Sequence, residues 1–225
     1  MTLIPVNSRR FPSRMNIDWK KFYDYISEIR ENNFHQEIAE KIGDIKGCMS
    51  DHDCFLLYAI VRYFKPRILL ETGSGSGKSS SFILKALKRN GEKGNSYNPV
   101  LLGIERDHRK EIGFLIPDSL KKWFVPIRSS AEKFVESDDF KKISLDFFLH
   151  DSTHRYEHQM WEFKTFWEKL LPEGILCSHD IVYSTSFLEF VRGKYVMDER
   201  GLTDFERSNF FVWGAFGNLG FAVKK

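Results

Sequence analysis

Glu71-Thr72-Gly73-Ser74-Gly75-Ser76-Gly77-Lys78-Ser79 is the stretch on which the reading of the whole chain turns. It follows Arg67-Ile68-Leu69-Leu70, a short apolar run of the kind that forms a buried parallel strand, and it leads into a helical pattern from Ser79 to Lys88. Glycines at the carboxyl end of a strand let the backbone turn tightly and come close to a ligand, and the helix beyond offers free N–H groups. Three ligand classes use such a loop, and spacing separates them. A phosphate-binding P-loop needs a glycine five residues before Gly77, where Thr72 stands. The dinucleotide pattern G-x-G-x-x-G/A places its third glycine at Lys78 when counted from Gly73, and at Ser80 when counted from Gly75. What remains is an acid followed by glycines at alternate positions, E-x-G-x-G-x-G.

Outward from this loop the chain alternates strands and helices. A second strand is expected at Val100–Glu105, then a helix, and a third strand at Phe124–Ile127. Leu145–His150 reads as the fourth strand, Tyr156–Leu171 as a helix closed by Pro172 and Gly174, and Ile175–Ser178 as the fifth strand. The tail Asn209–Lys225 reads as a β-hairpin turning near Gly217-Asn218. Upstream, Asn16 to Ile45 is helical in pattern, with Trp19, Phe22, Tyr23, Tyr25, Ile26 and Ile29 as an apolar stripe. Ser50-Asp51-His52-Asp53 is a helix start, and the helix Cys54–Phe64 stops before Pro66. Such alternation predicts an α/β fold, a doubly wound Rossmann-like sheet of seven strands with an antiparallel C-terminal strand. Residues 1–49 are expected to form an N-terminal helical arm or cap, and residues 50–225 the ligand-binding domain.

The E-x-G-x-G-x-G loop resembles the first motif of the class I S-adenosylmethionine-dependent methyltransferases. That resemblance implies that Gly73, Gly75 and Gly77, with Ser74 and Ser79, lie under the aminoacyl part of S-adenosylmethionine, and that Glu71 sits beside it. Glu105, at the end of Leu101-Leu102-Gly103-Ile104-Glu105, matches the family acid that accepts hydrogen bonds from both ribose hydroxyls, a sensible partner for a vicinal diol. Ser130 and Ala131, in Ser129-Ser130-Ala131-Glu132, match the loop that lines the adenine. Phe216–Val223 looks like the C-terminal strand of the small-molecule O-methyltransferases. The resemblance runs from about Ser50 to the end.

Ligands of open α/β sheets sit beyond the carboxyl ends of the strands. The fourth strand ends in His150-Asp151-Ser152-Thr153-His154 and the fifth in Cys177-Ser178-His179-Asp180, so adjacent parallel strands are expected to bring Asp151 and Asp180 together. This is similar to the metal-dependent branch that includes catechol and macrocin O-methyltransferases and cephalosporin-hydroxylase-like proteins. The resemblance implies catalytic roles for Asp151 and His154, contact of Asp151 with the cofactor, and a divalent metal such as Mg²⁺ on Asp151, Asp180 and His179. One departure stands out: position 179 is His where that branch carries a carboxylate, and Mg²⁺ prefers oxygen ligands. His154 matches the position of the family's base, and a histidine of ordinary pKa takes up a proton near neutral pH. His154, His158 and Trp161 are spaced to share a helix face.

Composition bounds the partners. The chain has 225 residues, 42% hydrophobic and 29% charged, which fits a globular protein that needs no disulfide or metal to fold. Its 34 basic residues are interleaved with 31 acidic ones for a net charge of +3, without the basic patch a nucleic-acid binder carries. No apolar run approaches the length of about 18 residues that spans a membrane. Cys48, Cys54 and Cys177 have no metal-ligand spacing and form an odd count, as reduced cytoplasmic thiols do. The partners expected are a small-molecule acceptor and a second copy of the chain as a homodimer. Two other readings of the glycine loop stay open, a cofactor-binding subunit without catalysis and a P-loop-type nucleotide enzyme. The 15% aromatic fraction, led by 21 phenylalanines, points to an aromatic core or to a pocket for flat groups.

Overall fold

The structure is a computed structural model that describes residues 17–43, 45, 47–92, 97–107, 111–193, 209–212 and 218–224. The chain divides into two compact units, one of Ile17–Ile143 and the other from Ser144 onward.

The first unit opens with α1 (Trp19–Glu31), capped by the Asp18 side chain, which accepts from the Lys21 backbone N–H. Phe22, Ile26 and Ile29 recur at helical spacing and are buried. The apolar pattern suggested one helix to Ile45, but the chain breaks at Asn33. There the backbone turns left-handed (φ 57°), which asparagine tolerates, and α2 (Phe34–Ile42) starts anew. Helix α3 (Asp51–Phe64) begins as expected, with Ser50 Oγ accepting from the Asp53 N–H, and ends at Lys65 before Pro66. Strand β1 (Ile68–Thr72), helix α4 (Lys78–Gly91), β2 (Val100–Glu105) and β3 (Phe124–Arg128) complete a sheet ordered β3-β2-β1, with every pair parallel. Among the described residues, the expected helix between β2 and β3 is only the short 3₁₀ segment Asp118–Trp123. Two five-residue helices, α5 (Ala131–Val135) and α6 (Asp138–Lys142), are capped by Ser130 and Ser137.

The N-terminal helices belong to this same unit as the glycine loop, and a polar network ties them in. Glu28 of α1 accepts from Tyr58 Oη at 2.7 Å, pairs with Arg62 at 3.2 Å and with Arg89 at 3.1 Å, while Arg62 donates to Asn90. Burial opposes the Glu28 charge, yet the hydrogen bond from Tyr58 and the two guanidinium groups hold its carboxyl below the usual range.

In the second unit β4 (Leu145–His150) pairs in parallel with β5 (Leu170–Ser178), joined by α7 (Tyr156–Lys169). The helix ends two residues earlier than Pro172 suggested, because Leu170 is already extended and Pro172 and Gly174 lie inside the strand. Helix α8 (Ser186–Gly193), not anticipated from the sequence, buries Phe187 and Phe190 beside Phe163 and Trp167 of α7. Phe148 stacks on Phe166 with ring centroids 4.3 Å apart. Much of the aromatic surplus is thus core packing. Strand β6 (Asn209–Val212) and β7 (Gly220–Val223) are antiparallel, with β7 also antiparallel to β5. The hairpin forms as expected, although Gly217 of its turn lies outside the described residues. The fold is α/β and Rossmann-like, mostly parallel with an antiparallel C-terminal strand.

Candidate active site

In the first unit the loop after β1 is built on left-handed glycines: Gly73 has φ 81°, Gly75 φ 45° and Gly77 φ 87°. The N–H groups of Gly73 and Ser74 donate to the Ile104 carbonyl, which anchors the loop to the end of β2. Gly77 is also sterically required, since a Cβ there would lie 2.6 Å from Gly113 Cα and 2.9 Å from Ile116 Cγ1. Glu71 is fully buried and accepts from the hydroxyls of Ser74, Ser79 and Ser80. These residues therefore latch the loop to itself, and Ser80 is a member that spacing did not single out.

Glu105 meets the loop from β2. Its Oε2 accepts from the Gly75 N–H at 3.0 Å and its Oε1 from the Asp107 N–H at 2.8 Å. A cavity of about 220 Å³ opens here, lined by Glu105, Gly75, Ser76, Asp107, Cys48 and Phe114 among others. Cys48 Sγ lies 3.4 Å from Ser76 Oγ. Ser130 caps α5 and Ala131 is its first buried residue, and neither is among the residues that line the cavity. Lys78 is ion-paired to Asp51 at 2.7 Å and the Ser79 hydroxyl is held by Glu71. Both P-loop side chains thus have other partners, which removes the support for a phosphate cradle.

In the second unit the ends of β4 and β5 converge. The His179 N–H donates to the His150 carbonyl, extending the parallel register beyond the strands. His179 Nδ1 stands 2.9 Å from Asp151 Oδ1 and 3.6 Å from Asp180 Oδ1. Asp180, itself left-handed at φ 56°, binds His154 Nε2 at 3.0 Å through Oδ2 and accepts from Asn218 Nδ2 at 3.0 Å through Oδ1. His154 lies in the loop before α7, so it does not share a helix face with His158 and Trp161. His158 instead reaches Glu162 at 2.9 Å.

Residues 70–181 match a family model described as a methyltransferase domain. The chain carries a methyltransferase domain. The motif resemblance of the glycine loop to the class I enzymes agrees with this match. A search of curated proteins finds no match. Among solved structures, the fold is similar to an O-methyltransferase from Bacillus cereus in complex with SAH, at 16% identity and TM-score 0.57, over 90% of this chain and 91% of that one. It is also similar to the O-methyltransferase TomG from Streptomyces achromogenes, involved in tomaymycin synthesis and in complex with SAM. That match has 15% identity and TM-score 0.54, over 84% of this chain and 86% of that one.

The methyltransferase domain does not present the expected metal ligands as a metal site. Among the described residues no group of three His, Cys, Asp or Glu side chains is arranged to hold a metal ion. The donors are engaged within the protein: Asp151 Oδ1 by His179, Asp180 Oδ2 by His154 and Asp180 Oδ1 by Asn218. His179 brings nitrogen where Mg²⁺ would take oxygen. Asp151, His179 and Asp180, to which the resemblance assigns a divalent metal, form in this structure a hydrogen-bonded set of carboxylates and imidazoles. Sequence reasoning missed His150, Ser152, Glu162 and Asn218. His150 was hidden as the last residue of an apolar strand, and Asn218 stands 38 residues from Asp180. Only the i, i+4 spacing of His158 and Glu162 was legible.

Charge in this cluster is unevenly placed. Burial pushes the Asp151 carboxyl above the usual carboxylate range, against the hydrogen bond from His179 and the imidazoles of His150 and His154. At Asp180 burial acts in the same direction, but the His154 hydrogen bond and the neighbouring imidazoles outweigh it and hold that carboxyl low. Folded Asp151 binds its proton more tightly than the unfolded chain does. Its charge therefore costs stability above its folded pKa, and the cost fades as pH falls through that value. Asp180 is the opposite case: its contribution is complete above the unfolded carboxylate pKa and is lost as pH falls through its depressed one. Asp151→Asn keeps an acceptor for His179 and removes the charge. It is expected to raise the melting temperature at pH 7 by a few degrees, at about 2–4 °C per kcal/mol relieved, with the gain shrinking in acid. A melting temperature at pH 7 equal to or below the parent's contradicts that assignment of the Asp151 charge.

Proposed function

We propose that the protein transfers the methyl group of S-adenosylmethionine to a hydroxyl oxygen of a small molecule. The observation that carries this reading is the His154–Asp180 pair: the carboxylate accepts from Nε2, which fixes the tautomer and leaves the Nδ1 lone pair as a base. The acceptor's O–H bond breaks as the Nδ1–H bond forms. The oxygen's electron pair then takes the methyl carbon, and the electrons of the S–C bond stay on sulfur, giving the neutral thioether. Asp180 balances the imidazolium formed. On the donor side, Glu105 faces the cavity beside Gly75 and supplies an anionic acceptor for ribose hydroxyls. Asp151, paired with His179, orders the neighbouring end of the cluster.

The scheme is written without a metal; in this structure the carboxylates that would hold one bind imidazoles and Asn218. Calorimetry with S-adenosylmethionine and S-adenosylhomocysteine, in chelator and in Mg²⁺ or Mn²⁺, tests both halves. One-to-one binding of both compounds is expected, together with methyl transfer that survives chelator. Absence of binding sinks the donor assignment, and turnover that chelator abolishes and metal restores sinks the metal-free scheme.

A further inference from the structure

Val182 and Tyr183 lie on the turn between β5 and α8 in the second unit, and they are the two most exposed large apolar side chains among the described residues, at 66% and 72%. Such side chains need no explanation when scattered singly, but two adjacent ones beside a polar site form a patch that points to a ligand. The turn that carries them is held on both sides. The Ile181 N–H donates to the Asn218 carbonyl and the Tyr183 N–H to the Asp180 carbonyl, both at 3.1 Å, while the Ile181 side chain is buried. Further along, Thr185 Oγ1 and Tyr156 Oη both donate to Glu189, at 2.6 Å each. Val182 and Tyr183 therefore stand out from a pinned backbone.

The patch adjoins the histidine that the transfer scheme uses. The Tyr183 ring centroid lies 6.4 Å from that of His154, with the two planes inclined by 39°. That separation is within the span of one hydroxylated ring, packed on Tyr183 and hydrogen-bonded through its oxygen to His154. The chemistry favours the same class of acceptor. A phenolic hydroxyl has a pKa of about 10, against about 15.7 for water, which an aliphatic alcohol resembles. An imidazole thus takes the phenol's proton across a much smaller gap.

We propose that the Asp180–Tyr183 turn is the acceptor subsite and that the acceptor is a phenol, its ring seated on Tyr183 and Val182 and its oxygen at His154. The inference rests on the reading of His154 as the base, and it narrows the hydroxyl to an aromatic one. The phenol's proton passes to His154 Nδ1 and its oxygen takes the methyl carbon, which leaves an aryl methyl ether and the neutral thioether.

Two probes that differ in the ring alone decide it: 2-naphthol and its saturated counterpart decahydro-2-naphthol. Each is titrated by calorimetry into the full chain in the presence of S-adenosylhomocysteine, so that binding is read without turnover. Tyr183→Ala is expected to weaken 2-naphthol by about 3–10-fold, the worth of an aromatic pair, and to leave the saturated alcohol within about twofold. Tyr183→Phe keeps the ring and should restore the tighter binding of 2-naphthol. Leu171→Ala, which removes an exposed apolar side chain at the opposite end of β5, should change neither. With S-adenosylmethionine, the KM for 2-naphthol should rise in Tyr183→Ala by the same factor as the binding constant, with kcat within about threefold. Absence of 2-naphthol binding, or equal losses for the two probes in Tyr183→Ala, overturns the subsite. A dimer that sedimentation shows to dissociate in Tyr183→Ala gives the patch to a second copy of the chain and overturns it too. The two readings fail separately. Binding of 2-naphthol through Tyr183 without methylation supports the subsite and counts against hydroxyl transfer, whereas methylation of the saturated alcohol as fast as 2-naphthol supports transfer and overturns the phenol.

Discussion

Gly77→Ala is expected to remove most of the binding of S-adenosylmethionine and to cost the protein on the order of 5–15 °C in melting temperature. Gly77 sits at φ 87°, where a side chain costs about 1–2 kcal/mol. The added Cβ would meet Gly113 Cα at 2.6 Å and Ile116 Cγ1 at 2.9 Å, and overpacking of this kind adds about 1–3 kcal/mol. The first of those atoms is backbone, so relief requires the loop or the 113–116 segment to move. The two are tied together by the Gly113 N–H to the Gly75 carbonyl and the Leu115 N–H to the Ser76 carbonyl. Movement there displaces Gly75, whose N–H holds Glu105 at the cavity. Gly47→Ala separates strain from crowding. Gly47 lines the same cavity and has φ 78° but nothing within 4 Å of a built Cβ, so in thermal melts of the ligand-free protein the conformational cost of about 1–2 kcal/mol applies without crowding. Calorimetry and thermal melts of both variants compare them directly. Donor affinity within twofold of the parent in Gly77→Ala shows that the loop is not the donor site.

The second large effect is chemical. His154→Gln is expected to lower kcat by about 10²–10⁴-fold, the usual contribution of a positioned base, with donor affinity unchanged because His154 has no part in the glycine loop. Asp180→Asn should lower kcat through the same base. An amide NH₂ opposite His154 Nε2 would stabilise the tautomer whose hydrogen sits on Nδ1, the nitrogen needed to accept the proton. The pair is tested together: the double variant should be little slower than the slower single one, because both changes act on one group. Full activity in His154→Gln removes His154 from the mechanism, and losses that multiply show that Asp180 acts elsewhere.

Elements set by local chemistry were legible. Ser50 caps its helix, Pro66 lies beyond the end of that helix, and the runs at Leu69-Leu70 and Leu145–His150 form strands. Helix α8 was missed although Ser186-Phe187-Leu188-Glu189 fits the Ser-x-x-Glu start pattern ahead of an apolar run; Phe163 and Trp167 from elsewhere in the chain pack against it. The break at Asn33 was missed as well. An apolar period runs through it, and a single left-handed residue leaves no mark on that period.

The site divides along the same line. By itself the sequence determined where the chain turns after β1, because a left-handed backbone at Gly73, Gly75 and Gly77 demands glycine whatever surrounds it. It also placed Glu105, Asp151 and Asp180 at strand ends, since strand length and parallel alternation follow from local pattern. Tertiary structure alone decided which partners those groups meet. Asp151 meets His179 across 28 positions, and Asp180 meets His154 and Asn218, so carboxylates that spacing offered to a metal are held by imidazole and amide hydrogens. The physical reason is range. A backbone torsion is set by the residue that owns it, whereas the state of a titratable side chain is set by whichever donor the fold brings within about 3 Å of it.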